Sequence, residues 1–202
     1  MKSKLSICFA AIALCGIMTM NSCKGSGESQ SEAVEAQPAE VVDAQPNTYL
    51  TAIENYLTDS IGSHYGSGDV CIPSIVVIGV DSTQTDDMKV WGDYWVYRYT
   101  VVGDTLKMQS GGNHPGLMHV RKADLGYEVT AFDAVGDGSE FLPSARRIYG
   151  DKFRDFQAVQ ADQNTRERVR AAGIADYAQR NGLAVKYYQD ADWPAQPLPS
   201  SN

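Results

Sequence analysis

The spacing of hydrophobic positions changes several times along this chain. Leu5 to Met20 is a nearly unbroken apolar run behind the basic start Met1-Lys2-Ser3-Lys4. Lys24 to Pro46 holds no aromatic residue and almost repeats a short unit, Val34-Glu35-Ala36-Gln37-Pro38 and Val42-Asp43-Ala44-Gln45-Pro46. Beyond it Tyr49, Leu50, Ile53, Tyr56, Leu57 and Ile61 recur at helical spacing. This predicts an amphipathic helix capped by Asn47 or Thr48 and stopped at Gly62. Strand-like runs come next at 72–81, 88–102, 105–109, 117–122 and 127–135, separated by short turn sequences such as Gly103-Asp104 and Ala123-Asp124-Leu125-Gly126. Helical spacing returns from Ser144 to Tyr149. Asp151 then offers a cap for a second helix, and Asp162 opens the longest, which runs to about Asn181 before Gly182. Leu183 to Tyr188 predicts a last strand.

Short links between consecutive strands favour antiparallel pairing over crossover connections. The expected fold is therefore α+β: an antiparallel sheet against an N-terminal helix, additional C-terminal helices, and all helices on one side. The domain spans 47–191, with a proline-rich tail at 192–202. A Ser-, Gly-, Glu- and Pro-rich segment such as 23–46 buries too little apolar surface to offset its ordering entropy, so it reads as a disordered acidic tether.

The first apolar run is shorter than the ~20 residues that a bilayer-crossing helix needs. With its basic start it fits a secretory signal, here residues 1–22. The run ends in Met20-Asn21-Ser22-Cys23-Lys24, which resembles the lipobox of bacterial lipoproteins. Ser22 and Cys23 match that motif, Met20 stands where Leu is usual, and Asn21 departs from it. The resemblance implies cleavage before Cys23 and acylation of its thiol and freed amino group. The alternatives are an ordinary soluble secreted protein cut nearby and an uncleaved anchor. The lipoprotein reading makes membrane lipid, through acylated Cys23, a partner and places the chain at the cell envelope, on the outer membrane of a Gram-negative bacterium. Each buried CH₂ adds about 0.8 kcal/mol, so two or three chains hold a protein on a membrane stably.

Composition narrows the partners. The chain has 202 residues and a formal net charge of −8, which disfavours nucleic acid, whose phosphates call for a basic patch. Of its four cysteines, the lipoprotein resemblance implies that Cys8 and Cys15 leave with the signal and that Cys23 is acylated. That leaves Cys71 alone, with no disulfide inside the mature chain. It opens an apolar run and reads as a buried small hydrophobe.

A second resemblance rests on Trp91-Gly92-Asp93-Tyr94-Trp95-Val96-Tyr97, Gly111-Gly112-Asn113-His114-Pro115-Gly116-Leu117-Met118-His119-Val120, Leu125-Gly126-Tyr127-Glu128-Val129 and Asp137-Gly138-Ser139. Residues 47–150 are similar to lipoprotein domains with the nuclear-transport-factor-two-like or cystatin-like α+β fold. That resemblance implies a curved sheet wrapped over a helix, often with an apolar pocket between. It implies no single activity.

Candidate chemistry is sparse. His114 lies in a glycine-rich loop and His119 on the strand after it, close enough to share a pocket mouth; they are the candidate catalytic pair for a small hydrolase- or isomerase-like enzyme. Neither has a third ligand nearby in sequence, so no metal is assigned, and no cofactor fingerprint is present. Asp133, Asp137 and Glu140 crowd one glycine loop without calcium-loop spacing. Trp91, Trp95, Tyr97 and Tyr99 share one strand face, as core filling or as a ligand-binding wall (Trp91, Trp95, Tyr97). Arg166 and Arg170 fall on one helix face within a basic segment, read as a solvated face pairing with the acidic remainder. The leading functional reading is a non-catalytic binding or assembly module that takes an envelope protein or a small apolar ligand. The alternatives are the small enzyme and a structural subunit of an envelope complex.

Overall fold

The computed structural model describes residues 48–199; the expected signal at 1–22, Cys23 and the expected tether at 23–46 lie outside the described residues. Thr48 caps α1 (Tyr49–Tyr56), its hydroxyl accepting from the Thr51 N–H. The chain stays helical through a π turn, Leu57–Ile61, and a 3-10 turn, Gly62–His64. Five strands come after it: β1 (Val70–Asp81), β2 (Met88–Val102), β3 (Thr105–Asn113), β4 (Gly116–Ala123) and β5 (Gly126–Ala134). Helices α2 (Phe141–Tyr149), α3 (Phe153–Ala161) and α4 (Gln163–Arg180) are next, then the short strands β6 (Tyr187–Asp190) and β7 (Gln196–Pro197). The result is the expected α+β fold, built on a curved, open, seven-stranded sheet.

β2 organises the sheet. It pairs with β1 along one side; along the other, its first part pairs with β4 and its second with β3. All these pairs are antiparallel, but β6 joins β3 in parallel. The sheet is therefore mixed. The reason is the route of the chain: α4 intervenes before β6, and a long crossover permits parallel entry that a tight turn forbids.

Helices cover both faces, where the pattern predicts one covered side. The even positions of β2 (Val90, Tyr94, Val96) join Met118 and Val120 of β4 against Ile53 and Leu57 of the first helix. Odd positions face the other way, where Tyr99 with Ile72 and Leu106 meets Ile174 of α4. Trp91 packs beside Tyr149 and Phe156, whose rings stack at 4.2 Å. Alternation along one long strand thus feeds two cores. Cys71 is buried in the first of them, and burial pushes its thiol pKa up.

Three local features have physical causes. β3 runs on through Gly111 and Gly112, whose glycines predict a loop. Asp151 does not cap α3; it sits in a 3-10 turn bonded to Lys152, which itself occupies the cap position. Asp162 does cap α4, accepting from the Thr165 N–H.

The buried stripe of α4 is Arg170, Ile174 and Ala178, with Arg170 only 3% exposed. Its guanidinium lies 4.0 Å from the Tyr97 ring centre and 4.9 Å from that of Tyr188. It donates from Nε to the Tyr99 hydroxyl at 2.9 Å and makes a two-pronged bond to Asp190. Burial disfavours its charge, but Asp190 and the Tyr99 and Tyr97 oxygens outweigh this and hold its proton more tightly than usual. An arginine expected in solvent instead ties α4 to β2 and β6.

Replacing Arg170 with Met keeps the apolar stem but leaves the Tyr99 hydroxyl without its donor and the 34% exposed Asp190 without its cation. Urea unfolding should show a loss of about 2 kcal/mol, the scale for hydrogen bonds lost from a charged group. The same change at Arg121, paired with Glu128 at the surface, should cost under about 1 kcal/mol. Equal losses would mean that the Arg170 clasp contributes nothing special.

Candidate functional site

The two candidate histidines are brought to different faces of the sheet. His119 lies opposite Lys89, on the face turned away from α1. Its Nδ1 is 2.6 Å from Asp87 Oδ1, and its Nε2 is 3.4 Å from Asp133 Oδ2. A carboxylate at Nδ1 is how a catalytic imidazole is oriented, but the other nitrogen must then reach a hydroxyl or thiol. Here it meets a second carboxylate. The ring ties the β1–β2 turn to β4 and β5.

His114 sits in the short link between β3 and β4, on the α1 side. Its Nε2 shares a 2.7 Å hydrogen bond with the Tyr65 hydroxyl, and the two rings meet edge to face. The pair forms one end of an open cleft of about 510 Å³ between the first helix and the sheet. Tyr56, Ile61 and Phe132 supply the apolar walls; Ser60 and His64 complete the rim. Tyr56 and Phe132 stand edge to face at 6.2 Å. Since His119 does not reach this cleft, the pocket mouth that the two were expected to share does not form.

Local sequence builds this cleft. The π turn at Leu57–Ile61 widens the helix where it leaves α1, and such turns often occur at functional sites. Gly112 in β3 leaves the gap through which the Tyr65 hydroxyl crosses to His114; a Cβ there would collide with that oxygen. The electrostatics are quiet. Burial lowers the His114 pKa against the opposing pull of Asp137, and burial, with Asp137 adding, raises that of Tyr65. Both groups are thus held uncharged near neutral pH, and among the described residues no Asp, Glu, Lys or Arg lines the cleft.

The aromatic strand face is covered by the protein's own helices. Trp91 donates from Nε1 to the Ile148 carbonyl at 2.9 Å, and the Lys152 ammonium lies 4.5 Å from its ring centre. Trp95 and Tyr97 stack at 5.8 Å, with Arg166 near Trp95 and Arg170 on Tyr97. Beneath them Asp93 is fully buried. Its carboxylate accepts from Asn113 at 2.5 Å, Gln160 at 2.7 Å and Trp95 at 3.1 Å. Burial raises its pKa even though these donors and Arg166 pull the other way. This network pins α3 to β2 and β3.

Among the described residues no group of His, Cys, Asp and Glu is arranged to hold a metal ion. Asp133 is engaged with His119, while Glu140 offers its backbone carbonyl to the Ser144 hydroxyl. Tyr65 and Gly112 are the site residues that the sequence pattern missed. Only their placement reveals them, because Tyr65 lies 49 positions from His114. No protein-family model, curated protein or solved structure matches the chain.

Replacing Gly112 with Ala should push the Tyr65 hydroxyl off His114 and let water in. In NMR titration the His114 pKa should then rise toward its ordinary value. The lowered pKa also fixes a pH dependence. Because the unfolded imidazole binds its proton more readily, the His114 contribution to stability is present above about pH 6.5 and lost as pH falls through the folded pKa. His114→Gln should remove that component from stability measured against pH; an unchanged profile would contradict the burial account.

Proposed function

We propose that this chain is a lipid-tethered binding module of the bacterial cell envelope, anchored through Cys23, that takes a small uncharged apolar ligand in the cleft beside α1. The supporting observation is the cleft itself. Its walls are apolar, Tyr56, Ile61 and Phe132; its polar lining is Ser60, His64 and the hydrogen-bonded Tyr65–His114 pair; and no Asp, Glu, Lys or Arg lines it although the whole chain is at −8. Charged ligands would lose hydration there without gaining a partner, whereas an apolar ring buries against Tyr56 and Phe132 and can offer one polar group to Tyr65 or His114. The catalytic reading has less support: His114 meets the Tyr65 hydroxyl, but that hydroxyl is held as a phenol, and among the described residues no carboxylate is hydrogen-bonded to His114 to orient it as a base. The tether and anchor rest on the residues 1–46 and their resemblance to a lipoprotein leader.

Two experiments test the parts separately. Cys23→Ala should move the protein from the membrane to the soluble fraction and abolish palmitate labelling; retention with label would contradict the anchor. For the cleft, the full chain in lipid nanodiscs is titrated with 1-naphthol and with naphthalene, using empty nanodiscs as reference. Both should shift the His114 and Phe132 ring resonances. Tyr65→Phe should weaken naphthol about fivefold, the worth of one net hydrogen bond, and leave naphthalene unchanged. Binding of neither probe would overturn the cleft assignment.

A further inference from the structure

β1 is an edge. Among the described residues it pairs with β2 alone, so its other side presents backbone N–H and C=O groups without a strand partner. Edges are usually blunted, and parts of this one are. Pro73 lacks an N–H, a bulge interrupts the register between Val77 and Gly79, and the Lys152 side chain lies over Gly79. The stretch Ser74–Val77 has none of these devices. It forms part of a groove of about 400 Å³ with α1 on one side and α4 on the other.

The groove is apolar. Leu50 stands on the α1 wall, Val169 and Ala172 on the α4 wall, and Ile75 and Val77 on the strand. Leu50 and Val77 are each 37% exposed, high for large apolar side chains. Two carboxylates mark the rim, Glu54 on α1 and Asp176 on α4. Arg180 bonds Asp176 at 2.7 Å and lies 3.8 Å from Glu54, so one cation is shared between two anions. Burial, more than Asp176, raises the Glu54 pKa against the pull of Arg180.

We propose that the Ser74–Val77 edge, held between α1 and α4, is a strand-addition site for an extended segment of a partner protein that carries alternating apolar residues and a Lys or Arg. Main-chain hydrogen bonds to β1 supply the pairing. Alternate side chains reach the two helical walls in turn, since successive residues of a strand point to opposite faces. The basic residue supplies the second cation for Glu54 and Asp176. A second copy of this chain suits the edge less well, because pairing β1 with β1 brings two acidic rims and two acidic chains together.

The test uses the full chain in nanodiscs and a capped peptide, acetyl-Lys-Val-Thr-Val-Thr-Val-Lys-amide. Backbone amides of residues 74–77 should shift on titration. The same peptide N-methylated at alternate valines loses its pairing donors and should bind at least about tenfold more weakly. Replacing both lysines with Glu should weaken it comparably. On the protein, Ala172→Trp, an exposed position, should block binding while leaving thermal unfolding unchanged. Equal binding of the N-methylated peptide would overturn strand addition. No binding of the parent peptide at millimolar concentration would overturn the site. Concentration-dependent doubling of mass without peptide, removed by Ala172→Trp, would show that the occupant is a second copy and overturn the proposed partner. Naphthalene binding at the α1 cleft is read from His114 and Phe132, so either assignment can fail without the other.

Discussion

A guanidinium buried between tyrosine rings sets the arrangement of this fold. Arg170 leaves α4, lies over Tyr97, donates to Tyr99 and grips Asp190 at the end of β6. Moving such a charge out of water costs several kcal/mol unless its donors are met, and here they are met by groups from separate elements. The interaction therefore fixes more than one contact. It seats α4 on the sheet, brings the chain back so that β6 can pair beside β3, and closes the aromatic face of β2. Farther along that face Asp93, with Asn113, Gln160 and Trp95, does the same for α3.

With the aromatic face closed, the proposed binding sites fall on the opposite face and at the sheet edge. Under α1, the core ends in a cleft where the π turn and Gly112 hold Tyr65 against His114. Burial keeps Tyr65 and His114 uncharged near neutral pH. The two proposed sites would take their ligands by different chemistry, an uncharged cleft for a small molecule and, among the described residues, an unpaired strand edge for a protein segment. Neither site asks the aromatic face to open.

Much of this layout is legible in the residues. Thr48 and Asp162 announce two helix starts, Gly182 at φ +63° ends the longest helix, and alternation in β2 separates its two faces. Less legible are the features set by contacts distant in sequence. Arg170 reads as a surface charge because its partners, Tyr97, Tyr99 and Asp190, are far along the chain; a basic residue at the buried spacing of Ile174 and Ala178 is the available sign. Gly111 and Gly112 look like loop because glycine is poor in strands, yet β3 needs a gap where Tyr65 crosses. The parallel entry of β6 and the covering of both faces depend on where the helices go, which strand patterning does not encode. Of the candidate residues, His114 falls in the cleft, His119 is clamped elsewhere, and Trp91, Trp95 and Tyr97 lie under the helices. Cys23 lies outside the described residues.

Indole hydrogen exchange tests the central claim, that the aromatic face is held shut. Trp91 and Trp95 donate their N–H groups to Ile148 and Asp93, while Trp193 is 74% exposed and serves as an internal clock. By NMR in D₂O, Trp193 should exchange at once. Trp91 and Trp95 should exchange only at the rate set by unfolding of the helices over them. Rapid exchange of all three under native conditions would show that the face opens to solvent, and would contradict the account.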